Sequence, residues 1–151
     1  MQSRRDEVLD YLSDHRVATL STHGPGGPWA AAVFYVNHGF TLTFLSSPRS
    51  RHASDLAVDP SCAAAVHEDY AGWSDIRGVQ LEGTVTVLSG SRQREALARY
   101  EAKFPMIRPD RAPEPIRNAL ERVTWYELVA SRCFFVDNSV GFGNRDEIPV
   151  S

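Results

Sequence analysis

The sequence predicts an α+β protein built on a six-stranded antiparallel β-barrel with peripheral helices. Apolar and polar residues alternate over residues 76–88, the pattern of a half-buried strand. Tight turns join the early strands, and such turns connect antiparallel neighbours. The predicted order is helix, three strands, helix, two strands, two helices and a last strand. Antiparallel strands with segregated helices make an α+β fold, and closing the strands into a small barrel removes exposed edges.

The first half of the chain carries a capped helix, three strands and a short second helix. Ser3 can cap the first helix, and Val8, Leu9 and Leu12 form its apolar stripe. The run HGPGGP is a hairpin loop, because no regular element tolerates that density of Gly and Pro. The predicted helices span residues 3–15 and 50–58, and the predicted strands span residues 16–22, 29–36 and 40–46.

The second half of the chain carries three strands and two helices. Gly83 interrupts the clearest strand and predicts a bend or bulge of the kind that small barrels need at corners. The tail from residue 139 has no clear hydrophobic periodicity, so no helix or strand is predicted there. Residues 1–151 are therefore predicted to form a single domain. The predicted strands span residues 61–69, 76–88 and 124–138, and the predicted helices span residues 89–104 and 115–123.

Composition excludes several classes of protein. A net charge of −3 and a pI of about 5.9 argue against a general nucleic-acid binder, which needs a basic face. No apolar run reaches the ~18 residues of a membrane-spanning helix, and the charged N-terminus lacks the apolar stretch of a signal peptide, so we expect a cytoplasmic protein. Cys62 and Cys133 lie in apolar runs and are expected to be buried free thiols. No Cys or His cluster predicts a metal site.

The run FLSSPRSRHASDL, residues 44–56, places three basic residues where a strand ends and a helix begins. Arg49, Arg51 and His52 stand at the positive end of the helix dipole, where cations are normally disfavoured. A bound anion explains this placement, because helix N-termini bind phosphate and arginine adds charge-assisted hydrogen bonds. The alternative is a solvated turn whose arginines pair with Asp55 or Asp59.

Two further stretches carry weaker signals. Gln80 has both a donor and an acceptor and suits the edge of a heterocycle, but it also fits the solvent face of an alternating strand. Glycines flank Phe142, so that backbone can approach a ligand or form a simple C-terminal turn. The sequence shows no motif that predicts a catalytic nucleophile, and no catalytic residue is assigned. A cofactor would therefore carry any chemistry.

The run from residue 18 to 67, followed by IRGVQLEGTVTVL and the ending FVDNSVGFGNR, resembles the FMN-binding split β-barrels of the pyridoxamine 5'-phosphate oxidase-like superfamily. These sequences look more like a small bacterial subgroup than the vitamin B6 oxidase itself. The resemblance implies a homodimer with FMN at its interface, acting on a small molecule. It implies no role for nucleic acid or membrane.

The resemblance also implies which residues hold the flavin. Leu45 and Ser46 match the pair that lines the flavin, with Ser47 beside them, and Ser50, Arg51 and His52 match the phosphate-binding residues, with His in place of the family's Lys. Arg49 can compensate for that change. The second strand, Ala32, Val33 and Phe34, matches backbone that follows the isoalloxazine ring, and the family's interface Gln aligns near Gly78 or Gln80.

The sequence departs from the pattern of the family at one point that bears on activity. The oxidase's C-terminal Arg-x-His pattern is missing, because the last histidine is His67. This disfavours pyridoxamine phosphate oxidation and also the haem-degrading relatives, which use a C-terminal histidine. The expected function is an FMN-dependent oxidoreductase. The alternatives are a non-enzymatic flavin or haem binding protein and a reductase that uses the deazaflavin F420.

Overall fold

A computed structural model describes residues 1–151. Four helices and seven strands follow the predicted order up to the tail, and none of the helices is long and apolar enough to cross a membrane. The helices are α1 (Arg4–Asp14), α2 (Arg51–Val58), α3 (Gly90–Lys103) and α4 (Glu114–Leu120). The strands are β1 (Val17–Gly24), β2 (Gly27–His38), β3 (Thr41–Ser46), β4 (Ser61–His67), β5 (Arg77–Val87), β6 (Thr124–Asp137) and β7 (Arg145–Ile148).

Six antiparallel strands close into a barrel. The strand order is β3-β2-β1-β4-β5-β6, and β3 also pairs with β6, which completes the circle. A hairpin joins β1 to β2 at the predicted place, but its loop is shorter than predicted, because His23 and Gly24 pair with Pro28 and Gly27 and only residues 25–26 lie outside the strands. The structure confirms the predicted α+β barrel with peripheral helices.

The predicted irregularity at Gly83 is a β-bulge. Glu82 pairs with Arg132, but Gly83 pairs with Ala130, so Ser131 is the extra residue on β6. A Cβ atom at Gly83 would lie 2.0 Å from the carbonyl oxygen of Val129. Glycine therefore allows β5 and β6 to approach each other where the barrel bends.

The core fills the barrel and extends to two helices. Tyr35, Phe44 and Phe135 are its largest fully buried side chains. Leu12 of α1 and Leu56 of α2 belong to the same cluster, so both helices pack against the barrel. Cys62 and Cys133 are buried free thiols, as expected. A second, smaller cluster packs α3 against the outside of the barrel through Val36, Leu88, Ala96, Tyr100, Phe104 and Trp125.

Strand β7 was not predicted from the sequence. It pairs with β6 through residues 133–136, outside the closed barrel, and buries Ile148. The segment RDEI shows no alternation long enough to mark a strand, so only its pairing with β6 defines it.

Candidate functional site

The turn between β3 and α2 is fixed by serine hydroxyls. Ser50 is the N-cap of α2, and its Oγ accepts a hydrogen bond from the Ala53 amide at 3.3 Å. The same hydroxyl donates to the Ser47 carbonyl at 2.8 Å. Because the first amides of a helix have no acceptor within the helix, those of Arg51 and His52 remain free to bind an anion.

Arg51 connects the start of α2 to the β1–β2 hairpin. Its Nη2 donates to the Gly26 carbonyl at 3.1 Å, and its guanidinium lies 4.3 Å from the ring centroid of Trp29. One of the five guanidinium N–H donors is used in this contact. Arg51 is exposed, so the remaining donors can reach a ligand.

His52 is tied to the end of β3. Its Nε2 lies 2.7 Å from the Ser46 hydroxyl and 3.4 Å from that of Ser50. Burial lowers the pKa of His52 below its ordinary value of 6.5, although Asp55 opposes the shift. This shift favours the neutral ring, so the His52 side chain adds little positive charge for an anion, whereas its amide is a donor at any pH.

Arg49 lies beside a cleft that Arg51 does not line. It lines this cleft of about 510 Å³ together with Ser47, Pro48 and Arg122. Arg122 follows α4 and precedes β6, and sequence reasoning did not identify it. Only the pairing of β3 with β6 brings it near Arg49.

The carboxylates that could have neutralised these arginines face elsewhere. Asp55 is buried and accepts a hydrogen bond from Thr22 Oγ1 at 2.9 Å, which anchors α2 to β1. Asp59 accepts from the amide of Ser61 at 3.0 Å. Neither carboxylate forms an ion pair with Arg49 or Arg51, so the turn keeps its positive charge.

The predicted segment of β2 has one open edge. The pairing of β2 with β3 stops at Tyr35 and Phe44, whereas its pairing with β1 continues to Gly27. The Tyr35 amide donates to the Arg16 carbonyl on the β1 side at 3.0 Å. Because bonding direction alternates along a strand, the N–H and C=O groups of Ala32 and Phe34 face the open edge, beside the end of β3.

Val33 differs from its two neighbours. Its side chain is buried in the barrel, and by the same alternation its backbone groups bond to β1. Phe34 is exposed and packs edge-on against Phe104, the residue that follows α3, with ring centroids 5.7 Å apart. Of the predicted β2 segment, Ala32 and Phe34 therefore offer backbone groups to a ligand. Leu45 is half-buried at the end of β3.

Gln80 and Gly78 lie apart from the α2 turn. Gln80 is exposed on the outer face of the barrel, in one cross-strand row with Ala65, Thr19 and Ala32. Three strand spacings of ~4.8 Å place Gln80 roughly 14 Å from Ala32. Gly78 pairs with His67 and is buried. The fold therefore gathers the predicted residues of β2, β3 and α2 and leaves those of β5 on a separate part of the same face.

The C-terminal loop carries an exposed aromatic pair. Phe142 is 80% exposed and Trp73 is 70% exposed, with ring centroids 5.3 Å apart. Asn138 Nδ2 donates to the Trp73 carbonyl at 2.9 Å and its Oδ1 accepts from the Gly143 amide at 3.1 Å. Phe142 therefore holds the loop through Trp73 rather than through the barrel.

The chain forms a closed antiparallel barrel, and its third strand is followed by a helix that begins with basic residues. These two features define the class of split barrels that the sequence resembles. Residues 5–137 match the sequence profile of the pyridoxamine 5'-phosphate oxidase family, and the chain belongs to this family. Sequence relatives include a UPF0306 protein of Photorhabdus laumondii, 28% identical over 137 residues, which are 89% of this chain and 88% of that one. A UPF0306 protein of Yersinia pseudotuberculosis is 27% identical over 145 residues, 93% and 91% of the two chains. These relatives confirm the predicted bacterial subgroup.

Solved structures share the fold at low sequence identity. A haem binding protein from Mycobacterium smegmatis superposes with a TM-score of 0.79 at 21% identity. That match covers 99% of this chain but 59% of the other, so the chain spans only part of that protein's length. HutZ, the haem storage protein of Vibrio cholerae, gives a TM-score of 0.67 at 16% identity, covering 83% of this chain and 88% of HutZ.

Proposed function

We propose that this protein binds FMN and acts as a flavin-dependent oxidoreductase on a small molecule. The observation that carries the proposal is the start of α2, where Arg51 and two free amides meet without a neutralising carboxylate. A phosphate monoester fits this donor set, because helix amides and a guanidinium both donate to phosphate oxygens. The family to which the chain belongs supports a flavin as the bearer of that phosphate.

The ring of the flavin would lie along the open edge of β2. Ala32 and Phe34 present backbone N–H and C=O groups there, and a flavin ring has matching acceptors and donors on its pyrimidine edge. Ser46 and Leu45 end β3 beside this edge and form its other wall. These residues bind and orient the ring, whereas the flavin supplies hydride or electron transfer when bound.

Gln80 reaches the same ligand in a homodimer. The family resemblance implies that Gln80 of the partner subunit completes the site, which agrees with the separation of roughly 14 Å between Gln80 and Ala32 within one subunit. The outer face offers a suitable surface, because Thr19, Ser21, Ala63 and Ala65 are small and leave the sheet open to close approach. A twofold arrangement of two such faces would create two equal sites.

Haem binding is the second candidate function, and the likeness to haem-binding and haem storage proteins favours it. A histidine axial ligand would come from before β7, and His67 is one exposed histidine that could serve, because β7 and the residues after it contain none. F420 is an alternative cofactor, since its reductases share the barrel that the sequence resembles.

Absorption spectroscopy of the purified protein, alone and titrated with FMN or haemin, tests these proposals. Flavin bands near ~370 and ~450 nm that shift on binding, together with a sedimentation mass of a dimer, support the first proposal. A Soret band that develops with equimolar haemin favours the second. A protein that leaves the FMN spectrum unchanged and quenches no flavin fluorescence rules out FMN binding. NADH or NADPH oxidation by the FMN-loaded protein then separates an enzyme from a binding protein.

A further inference from the structure

The cleft beside the α2 turn contains two unpaired arginines. Ser47, Pro48, Arg49 and Arg122 line its volume of about 510 Å³. No carboxylate lines it, and Pro48 is its one apolar side chain. The guanidinium of Arg51 instead contacts Gly26 and Trp29 on the β1–β2 hairpin. Arg49 and Arg51 of the turn therefore lie on different surfaces.

The barrel closure forces Arg49 and Arg122 together. Ser46 pairs with Thr124 at the end of the β3–β6 ladder. Continuing this antiparallel register by two residues places Arg122 beside Pro48, next to Arg49. Arg122 is held there by its amide, which donates to the Ala119 carbonyl at 3.0 Å at the end of α4.

The charge of this cleft has no protein counterpart. The guanidinium groups of Arg49 and Arg122 take part in no ion pair and no hydrogen bond. The Ser47 hydroxyl accepts from the Arg49 amide at 3.2 Å, which leaves its own proton free to donate. Two guanidinium groups and one hydroxyl therefore line the same cleft with no carboxylate among them, and an anion bound there would offset the repulsion between the two positive charges.

We propose that Arg49 and Arg122, with the Ser47 hydroxyl, form a subsite for a second anionic group, a phosphate or carboxylate, distinct from the phosphate assigned to Arg51. The inference deepens the proposed function and rests on it in one respect, namely that the anion belongs to a molecule bound at the same site. The ligand of this protein, cofactor or substrate, then carries an anionic group beyond the single phosphate of FMN.

Isothermal titration with pyrophosphate and with citrate, at low ionic strength, tests the subsite without any flavin. Low salt is needed because exposed charges are screened within about 10 Å at 0.1 M. Arg49→Gln and Arg122→Gln should each weaken binding roughly tenfold or more, the loss expected for one charge-assisted hydrogen bond. Binding of pyrophosphate alone identifies a phosphoryl group as the ligand, and binding of citrate alone identifies a carboxylate.

Two control variants separate this subsite from other sites. Arg94→Gln removes the same charge from an exposed position on α3 and should leave anion binding unchanged. Because free pyrophosphate can also occupy the phosphate site at Arg51, the titration should show two sites. Arg51→Gln should weaken FMN and one of these sites, whereas Arg122→Gln should weaken the other site and spare FMN. The subsite is refuted if the native protein binds neither anion, or if Arg122→Gln and Arg49→Gln leave every anion-binding site of the native protein intact. The FMN titration of the native protein decides the proposed function independently.

Discussion

His52 Nε2 lies 2.7 Å from the hydroxyl oxygen of Ser46, so the first turn of α2 is fastened to the last residue of β3. The position that matches the family's Lys thus holds a half-buried imidazole whose burial favours the neutral form. The ring orients the helix start, and the positive charge for a phosphate falls to Arg51.

The His52 contact should weaken in acid. Because burial lowers the pKa of folded His52 below 6.5, the unfolded chain binds its proton first as the pH falls. The free energy of unfolding should therefore fall below about pH 6.5, down to the pKa of the folded state. Urea unfolding at several pH values should show a smaller decline for His52→Gln than for the native protein. His38→Gln, which removes an exposed histidine, should retain the native decline; equal declines in all three proteins would contradict the assignment.

Arg51→Ala should weaken FMN much more than riboflavin. Only FMN carries the phosphate, and losing one charge-assisted contact costs roughly 1.5–3 kcal/mol. Fluorescence titration with both flavins measures the difference, and the riboflavin arm corrects for any shift of the hairpin that Arg51 contacts. Arg94→Ala is the matched control. Equal weakening of the two flavins would show that Arg51 does not bind the phosphate.

The barrel could be predicted because its signals are local. Alternation marks β5, tight turns mark the hairpins, and Ser50 with an apolar period marks α2. Strand β7 lacks such a signal, since three of its four residues are polar or charged and only Ile148 is buried. An edge strand of this length is defined by the neighbour with which it pairs.

The candidate site could be predicted only in part, for a related reason. Arg49, Ser50, Arg51 and His52 are consecutive, so their crowding is visible in the sequence. Arg122 is distant in sequence and comes near them through the closure of the barrel. The sequence also shows that His52 can be charged, but the burial that favours its neutral form depends on the fold.

Gly83→Ala should destabilise the protein by about 1–3 kcal/mol, the usual cost of overpacking. The new Cβ would lie 2.0 Å from the Val129 carbonyl oxygen and 2.9 Å from the Ala130 Cα, so β5 and β6 would have to separate at the bulge. Urea denaturation measures the loss. Gly141→Ala is the control, because no atom lies within 4 Å of a Cβ at that position. Equal stability of the two variants would mean that the bulge tolerates a side chain.

Thr22→Val should loosen α2 and weaken FMN binding with it. Thr22 Oγ1 donates to Asp55 Oδ2 at 2.9 Å, and Asp55 is 4% exposed, so valine would leave a buried carboxylate without this donor. An unsatisfied buried acceptor costs about 1–3 kcal/mol or more, and Asp55 lies on the helix whose first turn holds Arg51 and His52. We therefore expect a lower urea midpoint together with a weaker affinity for FMN. Thr22→Ser keeps the hydroxyl and should restore most of both. If Thr22→Val lowers stability while FMN affinity stays native at temperatures where the protein is folded, the position of α2 does not govern the phosphate site.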